Sequence, residues 1–353
     1  MHVRGELNLA TITLLHWNIY QFSNNKLNNA NGAALINYIA EVVFQSGANI
    51  ISFLELKNTA VNNIVAQLIP AINLAKAEGP PALNRWQAIS INSRKNNEAY
   101  VVLYQTGHNF GPLNAAVGGA HINGLSNQTL NAAGVPAGQL RFNSSITASG
   151  GRQPYYVAFR TTDTNRNFSI VAYHTMFGRV GNVTLVGVRN VGSLAQSRAI
   201  LDNGVVRNMD ASLICGDFNI DFITDPGAYH NVLNTPPTSQ STNDRTSLVN
   251  FTPPGGFPLS TDYRANAYDN IFKYNRLALP PAGGGRVVDL INESTRLPTG
   301  NGLMAPEAGA FLAGSIPEGH LIQHIPPRDF EDAWHIVRHA ISDHLPVWVR
   351  VTV

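Results

Sequence analysis

Charge is what this chain has least of. Only 13% of its 353 residues are charged, and Lys plus Arg number 24 against 22 for Asp plus Glu. A protein that grips many phosphates usually carries a clustered basic excess. The near-balance therefore excludes a long electrostatic tract for nucleic acid, while permitting an enzyme that touches a few phosphates around one bond. Cysteine is almost missing as well. The one thiol, Cys215, excludes an intrachain disulfide and any cysteine-built metal centre. Set between Leu213-Ile214 and Gly216, it reads as a buried, inert side chain. No apolar run reaches the roughly 18 residues that a membrane helix needs, so no integral membrane segment is expected. The opening Met1-His2-Val3-Arg4-Gly5-Glu6 has no apolar leader, although a chain already processed to this start would look the same. A soluble protein is expected, either cytoplasmic or released as an effector or toxin. No repeat of fixed period is visible, and a hydrophobic content of 44% argues against disorder.

What is present is an alternation of short apolar runs with helical stretches. Thr11 to Trp17 and Asn49 to Leu54 read as strands, and Ala33 to Phe44 has helical spacing of its apolar residues. Val61 to Ile69 reads as a helix that Pro70 ends. Strands are expected at Trp86 to Ile91, Tyr100 to Tyr104, Tyr155 to Arg160, Phe168 to Tyr173, Ala211 to Cys215 and Ala267 to Phe272. Leu194 to Val205 reads as a helix, and the alternation of Leu345 to Val353 as a terminal strand. Two stretches break the rhythm: 107–151, rich in Gly, Asn and Ala, and 282–329, rich in Gly and Pro. Both read as insertions on a single domain spanning 1–353, since strands flank them and neither carries a core pattern. Many strands with few helices imply an α/β fold of stacked sheets with helices outside.

Polar clusters recur at the ends of these apolar runs, where loops can aim side chains into a shared cleft. They are His16-Trp17-Asn18, Glu55-Leu56-Lys57, His174, Gly216-Asp217-Phe218-Asn219, Tyr268-Asp269-Asn270 and Ser342-Asp343-His344. Any one of them is an ordinary turn former, but their recurrence points to a site. Phosphodiester hydrolysis explains the residue types, because it needs a Lewis acid, an activated water and stabilisation of charge on the phosphoryl and leaving oxygens. Mg2+ takes oxygen ligands and keeps several waters, so one or two carboxylates suffice; Glu55 and Asp343 suit it, with Mn2+ or Ca2+ as alternatives. Zinc fits less well, since His174 and His344 are distant in sequence and no paired-histidine helix motif exists.

From Leu14-Leu15-His16-Trp17-Asn18 to Ser342-Asp343-His344-Leu345-Pro346-Val347, with Gly-Asp-Phe-Asn between, the chain resembles the endonuclease/exonuclease/phosphatase superfamily, the deoxyribonuclease I-like enzymes. The resemblance implies a four-layered α/β sandwich, two packed mixed sheets flanked by helices. It places Asn18 and Glu55 at the metal with Asp343 completing the acidic set. It assigns Asp217 to the attacking water and Asn219 to a phosphate oxygen. His174 and His344 become donors to the phosphate, His344 paired with Asp269 and His174 with Glu98. Arg152 matches a substrate-phosphate contact, and Lys57 a basic residue near the nucleic-acid backbone.

Plainer readings stand beside these. Asp269 and Asn270 also fit a strand-end cap, Glu98 a solvated edge charge, and Arg152 an ordinary loop arginine. His16 shares a strand face with Asn18 but reads as structural. His121, His320, His335 and His339 have no spacing that recommends them. Two departures from the secreted nucleases stand out: Tyr20 replaces an arginine two residues after Asn18, and Asn96 replaces a tyrosine two residues before Glu98. The resemblance implies a metal-dependent, sequence-nonspecific DNA endonuclease, acting as a monomer. The alternative is a phosphoesterase of the same superfamily acting on lipid or small-molecule phosphates, with a phosphoinositide phosphatase or sphingomyelinase as examples. An apolar tip at Leu303-Met304 or Phe311-Leu312 would suit that second class.

Overall fold

Alternating apolar strands can bury one face only against a second layer, and here two sheets supply it to each other. The computed structural model describes residues 10–28, 32–75, 85–92, 97–112, 121–122, 129–130, 136–139, 152, 154–175, 199–202, 205–233, 238–240, 242–248, 264–275, 285–288, 290 and 337–353. The first sheet comprises β1 (Thr11–Phe22), β2 (Ile50–Lys57), β3 (Arg85–Asn92), β4 (Glu98–Thr106), β16 (Arg286–Val287) and β17 (Val347–Thr352), in the order β16-β17-β1-β2-β4-β3. The second comprises β5 (Phe110–Pro112), β7 (Thr129–Leu130), β8 (Pro136–Gln139), β9 (Tyr155–Thr161), β10 (Asn167–His174), β13 (Ala211–Asp217), β14 (Thr238–Gln240) and β15 (Asp269–Asn275). Its order is β14-β15-β13-β10-β9-β8-β7, with β5 also paired to β9. A small third sheet joins β6 (His121–Ile122), β11 (Ala199–Asp202) and β12 (Val205–Asn208). Within the two main sheets β1–β2 and β10–β13 pair parallel and the other neighbours antiparallel, so both are mixed.

One apolar core runs between the sheets, where Tyr100 and Tyr104 of the first meet Tyr155 and Phe159 of the second at ring-centroid distances of 6.2 and 5.4 Å. Outside the first sheet lie α1 (Asn24–Asn28), α2 (Gly32–Ser46) and α3 (Val61–Ala75). The buried stripe of α3 is Val61, Ile64, Leu68 and Ile72, the spacing of one helix face. Outside the second sheet, a 3-10 turn (Pro226–Tyr229) and α4 (His230–Leu233) cover an aromatic cluster of Phe218, Phe222, Tyr229 and Phe272. The result is the four-layered α/β sandwich that the resemblance implies.

Two expectations need correction. Pro70 does not end its helix, which continues to Ala75. A proline in a helix interior costs about 3 kcal/mol. The turn beyond it fully buries Ile72, worth about 1.5–3 kcal/mol, which offsets most of that cost. The helix expected over Leu194 to Val205 is, where described, the hairpin β11–β12, with Asp202 opposite Val205. The two residues between them are Asn203-Gly204, a pair that favours a tight hairpin turn, and that local signal outranks the apolar spacing. The 107–151 stretch is not wholly apart from the sheets, since β5, β7 and β8 extend the second one. Most of 282–329, including Leu303-Met304 and Phe311-Leu312, lies outside the described residues, as do Asn96, His320 and His335.

Candidate active site

The register of the second sheet lines up three polar residues. His174 of β10 pairs with Asp217 of β13, and Asp217 pairs in turn with Asp269 of β15. Residues directly opposite each other in a sheet share a face, so the three side chains form a row at one end of the sandwich. The close approach of β10 and β13 there requires Gly216, where an added Cβ would lie 2.0 Å from Tyr173 O. Beyond the strand, Asn219 turns into the left-handed region (φ 51°) with its N–H donating to Asp217 Oδ1 at 2.9 Å and its Nδ2 to Thr175 O at 3.2 Å.

The first sheet reaches the same end through paired irregularities. In β2, Leu54 and Glu55 stand against Tyr100 alone, between the pairs Phe53–Val101 and Leu56–Ala99. In β1, Ile19, Tyr20 and Gln21 face Glu55 alone, between Asn18–Leu54 and Phe22–Leu56. Tyr20 (φ 30°), Gln21 (φ 47°) and Glu55 (φ 61°) take positive φ, a conformation that side chains resist. Bulges of this kind re-aim side chains beside active sites. Here the Glu55 carboxylate accepts from Asn18 Nδ2 at 3.1 Å and from Gln21 N at 3.2 Å. Asn18 Nδ2 also donates to Asp217 Oδ2 at 3.0 Å, so this amide bridges the two sheets and holds two carboxylates together. Its own oxygen accepts from Tyr20 N.

The Ser342-Asp343-His344 segment is stitched to β1. Ser342 Oγ donates to Asn18 O at 2.6 Å and accepts from His344 N at 3.1 Å, and Trp17 Nε1 donates to His344 O at 3.0 Å. His344 Nδ1 lies 2.6 Å from Asp269 Oδ2, and the Thr246 hydroxyl donates to that oxygen while accepting from Asp269 N, both at 2.8 Å. Burial disfavours a charge on His344, but Asp269, Asp217 and Asp343 outweigh it and hold its pKa well above the ordinary imidazole value. His174 Nδ1 lies 3.4 Å from Glu98 Oε2, a looser pairing. Burial also works against the Glu98 charge, yet His174 and Arg152 together keep that carboxyl below its ordinary range.

The ring nitrogens that face the cleft converge. His174 Nε2 and His344 Nε2 each lie 3.6 Å from Asp217 Oδ2, and His174 Nε2 is 3.5 Å from Glu55 Oε1. Asp217 thus stands between the two imidazoles. The cleft holds about 530 Å3 and is lined by Glu55, Glu98, Arg152, His174, Asp217, Asn219, Asp343 and His344, all expected from the sequence. It is lined as well by Tyr20, Ser247, Asn266, Tyr268 and Arg338, which the sequence did not single out as site residues. Ser247, Asn266 and Tyr268 belong to irregular segments, where no periodicity marks a residue's neighbours, while Tyr20 lies in the bulge of β1 and Arg338 in a short helical turn, Val337–Ile341. Thr246, which braces Asp269, was hidden in the same way as Ser247, whereas Ser342, which braces Asn18, stood in the Ser342-Asp343-His344 cluster.

Two expected residues are placed differently. Arg152 is 9% exposed, with Nη1 donating to Thr175 O at 2.7 Å and Nη2 to Glu98 Oε1 at 2.9 Å. It braces the Glu98–His174 pair, and both terminal nitrogens already have partners. Lys57 is half-buried opposite Glu98 at the end of β2 and is not among the cleft-lining residues.

Two groups could hold a cation: Glu55, His174 and Asp217, and Asp217, Asp269 and His344, each with ligand atoms within 4.8 Å of one another. Asp343 Oδ1 is buried with no hydrogen-bond donor, 3.8 Å from His344 Nε2. A buried carboxylate oxygen without a donor is an unmet demand for positive charge. Glu55 lines the same cleft, and the carboxylate oxygens of Glu55, Asp217 and Asp343 are the hard donors that suit a divalent cation. Lys26 adds one positive charge nearby. Burial lowers its ammonium to about 8, while Asp343 and Glu55 pull it upward.

The fold is that of the endonuclease/exonuclease/phosphatase proteins. The chain is similar to one such family protein from Leptotrichia buccalis at 12% identity and a TM-score of 0.53, over 96% of this chain and 99% of that one. A second, from Bacteroides thetaiotaomicron, shares 13% identity at a TM-score of 0.52 over 98% of each chain. A third, from Bacteroides vulgatus, shares 13% at 0.50 over 97% and 98%. No family model and no curated protein matches the sequence. The likeness is therefore one of fold.

Proposed function

We propose that this chain is a divalent-cation-dependent phosphodiesterase that cleaves nucleic acid, with DNA as its substrate. The observation that carries the reading is the placement of Asp217 between two imidazoles, 3.6 Å from each, with a carboxylate behind both rings. That symmetry suits a phosphate held by two N–H donors over an acidic residue that receives a proton. Glu55 and Asp343 would hold the cation, with Asn18 orienting Glu55 and Asp217. When bound, the cation supplies Lewis-acid stabilisation of charge on the phosphoryl oxygen.

The chain's own groups do the rest. Asp217 takes a proton from the attacking water as its oxygen bonds to phosphorus. His344, kept protonated by Asp269, gives its Nε2 proton to the leaving oxygen as the P–O bond breaks. The proton on Asp217 then returns to His344 across the 3.6 Å between them. His174, braced by Glu98 and Arg152, donates to a non-bridging oxygen alongside Asn219. In the family resembled, each histidine is paired with a carboxylate, and the Glu98–His174 and Asp269–His344 pairs favour the nuclease branch, which supports nucleic acid as the substrate.

Nicking of supercoiled plasmid tests the proposal, with Mg2+, with EDTA, and with an Asp217→Ala control. Nicking that needs both the cation and Asp217 is expected. Its absence at every metal concentration would overturn the nuclease reading and turn attention to lipid or small-molecule phosphates. His174→Ala and His344→Ala should each slow cleavage by at least about a hundredfold, the scale of a lost proton-transfer group. A wild-type rate in either variant would sink the mechanism.

A further inference from the structure

A single exposed apolar side chain is ordinary, but one held in a costly backbone conformation on the wall of a cleft calls for a reason. Among the described residues three are exposed, Tyr20 at 41%, Leu74 and Ile223, and of these Tyr20 alone lines the cleft. The chain also holds Tyr20 in place at a cost. Its φ of 30°, followed by 47° at Gln21, puts two side-chain-bearing residues where backbone sterics oppose them. That conformation is clamped from three sides. Tyr20 N donates to Asn18 Oδ1 at 3.3 Å, and Lys26 Nζ donates to Tyr20 O at 2.7 Å. The same ammonium donates to Ile341 O at 3.0 Å and stands 5.6 Å from the Tyr20 ring centroid. Lys26 is itself set by α1, where Ser23 Oγ accepts from Lys26 N and Ser23 O from Leu27 N. An exposed ring is thus fixed at the cleft wall, two residues from Asn18.

From this we infer that Tyr20 is a stacking platform for an unpaired nucleobase beside the scissile phosphate. The inference rests on the nucleic-acid reading above and deepens it. At 41% exposure the ring lines the cleft with the Lys26 ammonium over it, and its exposed part is open to a ligand. Every nucleobase offers a π face, so such a platform adds affinity without reading sequence. It also supplies what the charge balance withholds. With 24 basic against 22 acidic residues the chain has little general attraction for a phosphate backbone, and base stacking does not depend on net charge. A base that stacks on protein must leave its own helix, so single strands or distorted duplexes are better substrates than relaxed duplex.

The test measures cleavage at one linkage of a short oligothymidylate, using the full chain with Mg2+, and at the same linkage in a strand with abasic positions on both sides. Tyr20→Ala should lower kcat/KM on the intact strand by about tenfold or more, the scale of one lost base–aromatic stack, mainly through KM. On the abasic strand Tyr20→Ala and wild type should match. Tyr20→Phe and Tyr20→Trp should keep the wild-type ratio between the two strands. A loss of equal size on both strands would overturn the platform and show that Tyr20 only supports the neighbouring loop. No loss on either would also overturn it. Should Tyr20→Ala fail to fold, the Phe and Trp variants still decide, because a role for the hydroxyl would separate them from wild type on both strands. A wild-type protein that nicks plasmid but cuts neither strand would overturn the platform alone, and one that cuts no nucleic acid at all would overturn the nucleic-acid reading itself.

Discussion

His16 shows how one residue can couple this site to acid. It is fully buried, and its Nε2 stands 3.9 Å from Asp269 Oδ1. Burial lowers its pKa from 6.5 to about 3, despite the nearby charge of Asp217. Between those values the unfolded chain binds a proton that the native one refuses, so stability is lost as pH falls through that window. The slope is about 1.4 kcal/mol per pH unit. Urea unfolding of wild type and His16→Leu at pH 7, 6, 5 and 4 should show that extra slope in wild type alone; parallel lines would contradict it. Glu98 behaves alike at lower pH. Its lowered pKa adds stability above about 4.5, lost as pH falls through the folded value. Glu98→Gln should therefore be less stable than wild type at pH 7, with the gap closing toward pH 3 in the same assay.

Among the elements, the site depends on how closely β10 and β13 approach. Gly216→Ala would push a methyl against Tyr173 O, a backbone atom that cannot step aside. The strands must separate, at a cost on the order of 3 kcal/mol, the upper range for overpacking. His174 and Asp217 sit at that pair's end, so activity should fall with stability. A Gly216→Ala protein of wild-type Tm would show that the contact relaxes freely. The strand ends were only partly legible from composition. Thr11 to Trp17 gave the apolar start of β1 but not its continuation to Phe22, because Asn18, Tyr20 and Gln21 do not alternate as a strand should. The bulge at Glu55 was equally silent, since it arises from register with β1 and β4 and not from any residue preference.

For the whole molecule, the four layers bring six segments of distant sequence to one end, and a cation would bind only that assembled state. Ligands of the native state alone raise its stability by about 2.7 kcal/mol at a hundred times their Kd. Millimolar Mg2+ should therefore raise the Tm of wild type, and Glu55→Gln should abolish the rise. An equal rise in both would remove Glu55 from the metal site. The described helices include none long and apolar enough to cross a membrane.

Residue types and order in the sequence alone determined much of this. Apolar alternation located the long strands, and the motifs around Asn18, Glu55, Asp217 and His344 named most of the cleft, because chemistry restricts which side chains can serve. Tertiary structure decided the remainder. Arg152 became a brace for Glu98 only when β4 and the segment before β9 met. Thr246, Ser342, Lys26 and Tyr20 act through contacts that join separate segments. Such contacts depend on register, bulges and sheet packing, which no local pattern encodes.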